Sequence, residues 1–301
     1  MSLLVAAFYR FAALENLPAL RGELLQLAEA QGVSGTILLA AEGVNGTIAG
    51  ADAGVQALLD RLRQVAGLER LEAKFSRSGI QAFHRLKVRL KREIVTMGEP
   101  QVSPYLASEV GTHVLPGQWD ALIARPDTLV IDTRNAYEVA IGSFEGAIDP
   151  GTATFSEFPQ WVEQSLRPLV AERQPKAIAM FCTGGIRCEK ATAYLQQQGF
   201  EGVHHLEGGI LRYLEEVPAL GSSWWGECFV FDQRVAVNHQ LEPGEHSLCF
   251  ACGLPLAPAD RQLPSYRVGV SCRHCIERFS DSDRARFAER QRQIEHARAS
   301  G

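Results

Sequence analysis

Cys182 closes the apolar run Ala177-Ile178-Ala179-Met180-Phe181 and opens Thr183-Gly184-Gly185-Ile186-Arg187-Cys188, an order of residue types that builds a reactive thiol. The run reads as a buried strand, Cys182 to Cys188 as a tight loop, and Glu189 onward as a helix. Loop amides beside a helix N-terminus favour an anion, so the thiolate gains and the thiol pKa falls. Arg187 adds a fixed positive charge, while Gly184 and Gly185 allow the amides to curl toward a common centre. The chemistry on offer is nucleophilic attack by Cys182, or carriage of sulfur or oxygen on it. Cys188 reads either as a resolving thiol or as a small residue packing the first helical turn; packing is preferred, because free cysteine is among the most buried residue types.

A second chemical spacing lies near the C-terminus. Cys249-Phe-Ala-Cys252 and Cys272-Arg-His-Cys275 are two C-x2-C pairs separated by nineteen residues, the pattern of a four-thiolate zinc site. An all-thiolate set favours a structural role, in which zinc stabilises a segment with little core of its own. His246 and His274 lie close in sequence but read as bystanders.

Upstream of the Cys182 loop, Val130-Ile131-Asp132-Thr133-Arg134 continues to Glu138, Gly142 and Gly146. With the Cys182 loop and the later Leu206-Glu207-Gly208-Gly209, this block resembles the rhodanese (sulfurtransferase-like) domain over about residues 108–220. The resemblance implies an α/β domain in which Cys182 is the nucleophile and the segment holding Asp132, Arg134 and Glu138 supports it.

Residues 1–97 read as a separate α+β unit. A strand near Leu4–Tyr9 precedes a helix over 17–29, with Asn16 as cap and Pro18 in its first turn. Strands at 35–40 and 46–50 flank the turn signal Glu42-Gly43-Val44-Asn45-Gly46, a helix covers 51–65, and strands lie near 71–75 and 86–96. This β-α-β-β-α-β order resembles a ferredoxin-like fold. The expected organisation is therefore multidomain: α+β over 1–97, rhodanese-like α/β over 108–221, and a small zinc-knuckle-like segment over 222–301. Within the last, the aromatic stretch 223–232 reads as packing across the rhodanese-like domain, and 281–300 as a solvated helix.

The N-terminal unit also holds the most lopsided charge. Lys74, Arg77, Arg85, Lys87, Arg89, Lys91 and Arg92 occur without an intervening acidic residue, although the 301-residue chain has net charge −5. Alternation around Leu86, Val88 and Leu90 puts Arg85, Lys87, Arg89 and Lys91 on one strand face, spaced to follow a phosphate backbone, with Phe83 and His84 as a stacking surface. A solvated strand face is the competing reading.

At the level of the whole chain, Glu42-Gly-Val-Asn-Gly-Thr47, the Cys182–Lys190 segment, Trp225-Gly-Glu-Cys-Phe-Val-Phe-Asp232 and the paired knuckles resemble the bacterial tRNA uridine hydroxylase family. That resemblance implies oxygen-dependent formation of 5-hydroxyuridine at the tRNA wobble position, with molecular oxygen as co-substrate, tRNA as partner and Cys182 essential. A persulfide sulfurtransferase is the first alternative and a non-catalytic RNA-binding protein the second.

Seven cysteines without a basic apolar leader point to a reducing, cytoplasmic compartment and no membrane contact. No stable protein partner is implied. The sequence carries no flavin or nicotinamide fingerprint, so no organic cofactor is expected, and no two-histidine-one-carboxylate set stands out in it.

Overall fold

Apolar residues at helical spacing meet apolar residues at strand spacing, and that meeting builds the N-terminal layer of the computed structural model, which describes residues 2–102, 104–105 and 110–299. Leu20, Leu24 and Ala28 recur every four residues on α1 (Leu17–Ala30). Val55, Leu58, Leu59 and Leu62 form the matching stripe on α2 (Asp52–Arg63), three or four residues apart. Both stripes cover one face of a sheet made of β1 (Leu3–Phe11), β2 (Ser34–Ala40), β3 (Gly43–Gly50), β4 (Ala73–Ser78) and β5 (Leu86–Leu90). Full burial of each such side chain contributes about 1.5–3 kcal/mol.

The strand order is β4-β1-β3-β2-β5, and β5 runs parallel to β2. The first four strands and two helices are the expected ferredoxin-like arrangement. Two local expectations change. The hairpin turns at Ala41-Glu42, with Gly43 to Gly46 inside β3 rather than in the turn. Gly43 is required there: at φ 144° a Cβ would stand 2.1 Å from the Arg10 carbonyl oxygen across the ladder. β5 ends at Leu90 rather than near residue 96, since Glu93 turns inward and accepts the Met97 and Gly98 N–H groups.

The strand alternation divides β1 between two faces. Ala6 and Phe8 join the helix-covered core, while Tyr9 and Phe11 point the other way and pack with Ile186 of the following domain.

That domain comprises β6 (Thr112–Val114), α3 (Pro116–Ile123), β7 (Thr128–Asp132), α4 (Ala136–Val139), β8 (Gly142–Phe144), α5 (Phe158–Trp161), α6 (Arg167–Arg173), β9 (Ala177–Phe181), α7 (Ile186–Gln197), β10 (Val203–Leu206) and α8 (Gly209–Glu216). Its sheet, β6-β10-β9-β7, is parallel throughout, as crossover helices require. The expected domain start at residue 108 lies outside the described residues.

Next, β11 (Trp224–Gly226) pairs antiparallel with β8, and β12 (Cys228–Phe229) pairs with β13 (Ala236–Val237). The aromatic stretch thus packs on the rhodanese-like domain, with the Trp224 ring 5.2 Å from Phe144. It also reaches the N-terminal layer, where Arg234 donates to Ser76 at 2.9 Å. Residues up to Glu242 form one compact unit and Pro243–Gly301 a second. The second unit holds β14 (Ser247–Leu248), β15 (Pro255–Leu256) and α9 (Asp281–Ala299). Position 300, where the charged helix was expected to end, lies outside the described residues.

Candidate active site at the Cys182 loop

All five residues of β9 are buried, and the strand delivers Cys182 to the C-terminal edge of the parallel sheet. The loop is shorter than its glycines suggested: α7 begins at Ile186, so Arg187 and Cys188 occupy its first turn. Gly185, at φ 103°, makes the turn from loop to helix, and a Cβ there would lie 2.7 Å from the Tyr9 hydroxyl. Its N–H donates to the Cys182 sulfur at 3.1 Å.

Burial pushes the Cys182 thiol up, yet a hydrogen bond from Cys188, the Arg187 charge and the Cys188 and Gly185 N–H groups outweigh it and bring the thiol down to about 5. Cys188 moves the opposite way, raised by burial and by the neighbouring thiolate. The proton stays on Cys188 and the negative charge on Cys182. Cys188 is also fully buried in the first turn of α7, with its sulfur 3.4 Å from the Thr133 hydroxyl.

The supporting residues assemble as two buried ion pairs. Arg187 donates to both Glu138 carboxylate oxygens at 2.7 and 2.8 Å and to the Thr183 hydroxyl at 3.3 Å. Burial pushes the Glu138 carboxyl up, but Arg187 and Arg134 hold it below the usual range. Arg134 grips Asp132 at 2.9 and 2.6 Å and the Gly142 carbonyl at 2.6 Å, while Ser143 donates to Asp132 at 2.9 Å. Arg187 is thereby held in place, and its charge falls on Cys182.

Several participants were invisible in the sequence. Lys74 of β4 donates to the Gly184 and Gly208 carbonyls, and its ammonium stands 5.8 Å from the Tyr9 ring centre. Burial lowers Lys74 to about 8, against the pull of Cys182 and Glu189. Tyr9 donates to Glu189 of α7 at 2.7 Å. Together they roof the loop, and Cys182 is 0% exposed.

Behind the roof, Lys190 of α7 is wholly buried and donates to Glu42 and Glu93 at 2.7 Å each. Glu42 of the glycine-rich motif therefore ties the N-terminal layer to the helix that carries the nucleophile.

The basic run does not form one stripe. β4 and β5 lie at opposite edges of the sheet, four strand spacings or about 19 Å apart. Lys74 is committed to the loop carbonyls, and Arg77, on the opposite sheet face, pairs with Asp52 at 2.7 Å. Lys87 and Arg89 share one face of β5, while Arg85 and Lys91 lie just beyond its two ends. The register row Lys74–Ala7–Thr47–Thr36–Lys87 puts Lys87 and Arg89 on the Tyr9 side, turned away from the helices. Arg85, Arg89 and Lys91 are exposed and Lys87 half-buried. His84 sits 2.6 Å from Gln233, and Phe83 is half-buried.

In the second unit, the four cysteine sulfurs all lie within 4.8 Å of one another. The pairs 249–275, 252–272 and 272–275 are 3.9, 3.7 and 3.7 Å apart. A tetrahedral ion about 2.3 Å from each thiolate would set its ligands about 3.8 Å apart, so the cluster fits zinc. Burial raises Cys252 to about 11 and raises Cys272 as well. Ionising all four thiols in this space would need a cation to offset the charge.

A second cluster answers the sequence-based expectation that no two-histidine-one-carboxylate set stands out. His113 of β6, Glu189 of α7 and His205 of β10 bring one ligand atom each within 4.8 Å of one another. They border a cleft of about 720 Å³ shared with Tyr9, Lys74 and Arg212. Burial, then the neighbouring His113 and His204, lower His205 to about 3 and keep its ring neutral.

Residues 3–94 match the UPF0176 acylphosphatase like domain, and residues 115–216 match the Rhodanese-like domain. Over nearly its full length the chain is similar to tRNA uridine(34) hydroxylases. It is 61% identical to that of Parasynechococcus marenigrum (strain WH8102), covering 97% of this chain and 93% of the relative. Identity is 55% with that of Mesorhizobium japonicum, covering 99% and 94%. No helix among the described residues is long and apolar enough to cross a membrane. With both domains in order and identity sustained across the C-terminal unit, this chain belongs to the tRNA uridine(34) hydroxylase family.

Proposed function

We propose that the chain hydroxylates carbon 5 of uridine 34 in tRNA, as an oxygen-dependent oxidoreductase of the cytoplasm with Cys182 as nucleophile. The observation that carries this reading is a Cys182 sulfur held by the Gly185 N–H at 3.1 Å beside the buried Arg187–Glu138 pair, in a chain whose relatives bear that name. The Cys182 thiolate adds to carbon 6 of uracil, and the electron pair of the ring double bond moves toward the carbon 4 carbonyl. Carbon 5 is now nucleophilic and forms the bond to oxygen. One atom of dioxygen stays on carbon 5; the other leaves as water, taking two protons and two electrons from a thiol-class reductant. Loss of the carbon 5 proton then expels the thiolate and restores the ring.

Arg187 and the loop of Thr183, Gly184, Gly185, Ile186 and Cys188 hold the charge on sulfur, while Asp132, Arg134 and Glu138 fix the loop. Because Cys182 is fully covered, the base reaches it only when Lys74 and Tyr9 lift from the loop. Arg85, Lys87, Arg89 and Lys91 would follow the tRNA backbone on the sheet face that turns to the rhodanese-like domain. In this division of labour residues 1–97 hold tRNA and 108–221 carry out the reaction; of the segment 222–301, the part from Pro243 on is stabilised by zinc on Cys249, Cys252, Cys272 and Cys275, which supplies a crosslink and no reaction step.

Mass spectrometry of tRNA nucleosides from a deletion strain complemented with wild type or Cys182→Ala, grown with and without oxygen, tests the reading. Recovery of 5-hydroxyuridine only with wild type in air is expected. A modification profile that never changes would sink it, and thiosulfate-to-cyanide transfer by the same protein would then favour sulfur transfer.

A further inference from the structure

We propose that His113, Glu189 and His205 bind a divalent first-row transition metal, with coordination positions left open toward the cleft beside the Cys182 loop. Two imidazoles and one carboxylate from three separate elements converge there, with ligand atoms within 4.8 Å of one another. That donor set, on one side of an ion with open positions opposite, suits ferrous iron.

Two features beyond proximity point to a ligand. His205 is 1% exposed, yet its Nδ1 has no hydrogen-bond partner among the described residues. A buried ring nitrogen without a partner costs free energy, and a metal would supply the missing bond. The other two ligands are already oriented. Tyr9 occupies one Glu189 oxygen at 2.7 Å, and the other accepts no hydrogen bond from the described residues. Glu207 stands 4.0 Å from His113 Nδ1, and a carboxylate on that side leaves Nε2 as the ligand atom. The His113 and His205 rings have centres 4.2 Å apart and are tilted 59° to each other, a spacing two imidazoles on one ion can adopt. His113 is 40% exposed, so the ion has a path in and faces solvent on its open side.

The site stands on these contacts alone and requires no assumption about the reaction. Full-length protein carrying one zinc equivalent in its four-thiolate site would be titrated anaerobically with ferrous iron, followed by equilibrium dialysis and metal analysis. A parallel cobalt(II) titration reads ligand type, since thiolate ligation gives intense charge-transfer bands that imidazole and carboxylate do not. Wild type is expected to take up a second equivalent whose cobalt spectrum lacks thiolate bands. In His113→Ala and Glu189→Gln that equivalent should bind roughly tenfold more weakly or not at all, with zinc retained. His113 is 40% exposed and belongs to no core cluster, so its replacement removes little packing and provides the folded comparison. Saturation of wild type at the zinc equivalent, or a second equivalent that survives both substitutions, would overturn the proposal.

Discussion

Replacing Arg187 by methionine should raise the ionisation midpoint of Cys182 while also taking the cation from buried Glu138 and the donor from Thr183, and it is a direct check on how the nucleophile is prepared. A thiol with its midpoint at about 5, against an ordinary 9.0, is about 99% thiolate at pH 7 instead of about 1%. The difference corresponds to on the order of 5 kcal/mol in favour of the anion, shared among Arg187, the Cys188 hydrogen bond and two backbone N–H groups. An opposite charge within reach moves a pKa by about 1–3 units, so Arg187→Met should raise the midpoint by about 2, to near 7. Glu138→Gln acts in the opposite sense. It removes the negative charge that partly neutralises Arg187, so the midpoint should stay at 5 or fall. Ultraviolet thiolate absorbance, titrated against Cys182→Ser as the blank, reads the midpoint without requiring a reagent to enter a covered site. The same depression makes stability pH-dependent. The folded state binds fewer protons than the unfolded chain between pH 5 and 9, so the stabilisation from this group is complete above 9 and is lost as pH falls through 5. A wild-type midpoint near 9, or equal shifts in the two variants, would refute the reasoning.

Lys190→Met should cost about 3–5 kcal/mol in denaturant unfolding, because it strands the Glu42 and Glu93 carboxylates without their cation. Adding Glu42→Gln and Glu93→Gln should recover part of that loss; no recovery would mean that the ammonium was not the reason for the cost. Removing zinc with a chelator, or Cys272→Ser, should abolish hydrogen-exchange protection in Pro243–Gly301, with protection elsewhere as the internal control. The double change Arg89→Ala and Lys91→Ala should weaken tRNA binding and flatten the dependence of log affinity on log salt by about 1.4–1.8. Arg77→Ala, on the other sheet face, should leave that slope unchanged.

What the sequence disclosed and what it withheld divide along sequence distance. Cys182, Arg187 and the C-x2-C pairs were legible because each works through neighbours a few residues away, and a loop or knuckle of fixed length admits few geometries. Asp132 and Arg134 were legible only through the resemblance to the rhodanese domain, and in the structure they grip each other two residues apart. The roof was not, since Tyr9 and Glu189 are separated by 180 positions, and Lys190 and Glu42 by 148. Nothing local marks such partners: a tyrosine on the outward face of a strand reads as ordinary surface until another domain covers it. Lys74 misled for a more specific reason. It sat in a run of basic residues, and a charge run states composition without stating direction. Strand alternation then sent Lys74 and Arg77 to opposite faces, and the crossover to β5 carried the remaining cations to the far edge. His113, Glu189 and His205 are the extreme case, one ligand on each of three elements with no spacing to read. β6 and β10 pair in parallel with His113 beside His205, a register that only the folded sheet defines, and Glu189 joins them because α7 begins at Ile186. The position of Gly185 thus fixes both the amide that faces Cys182 and the carboxylate that faces the histidines.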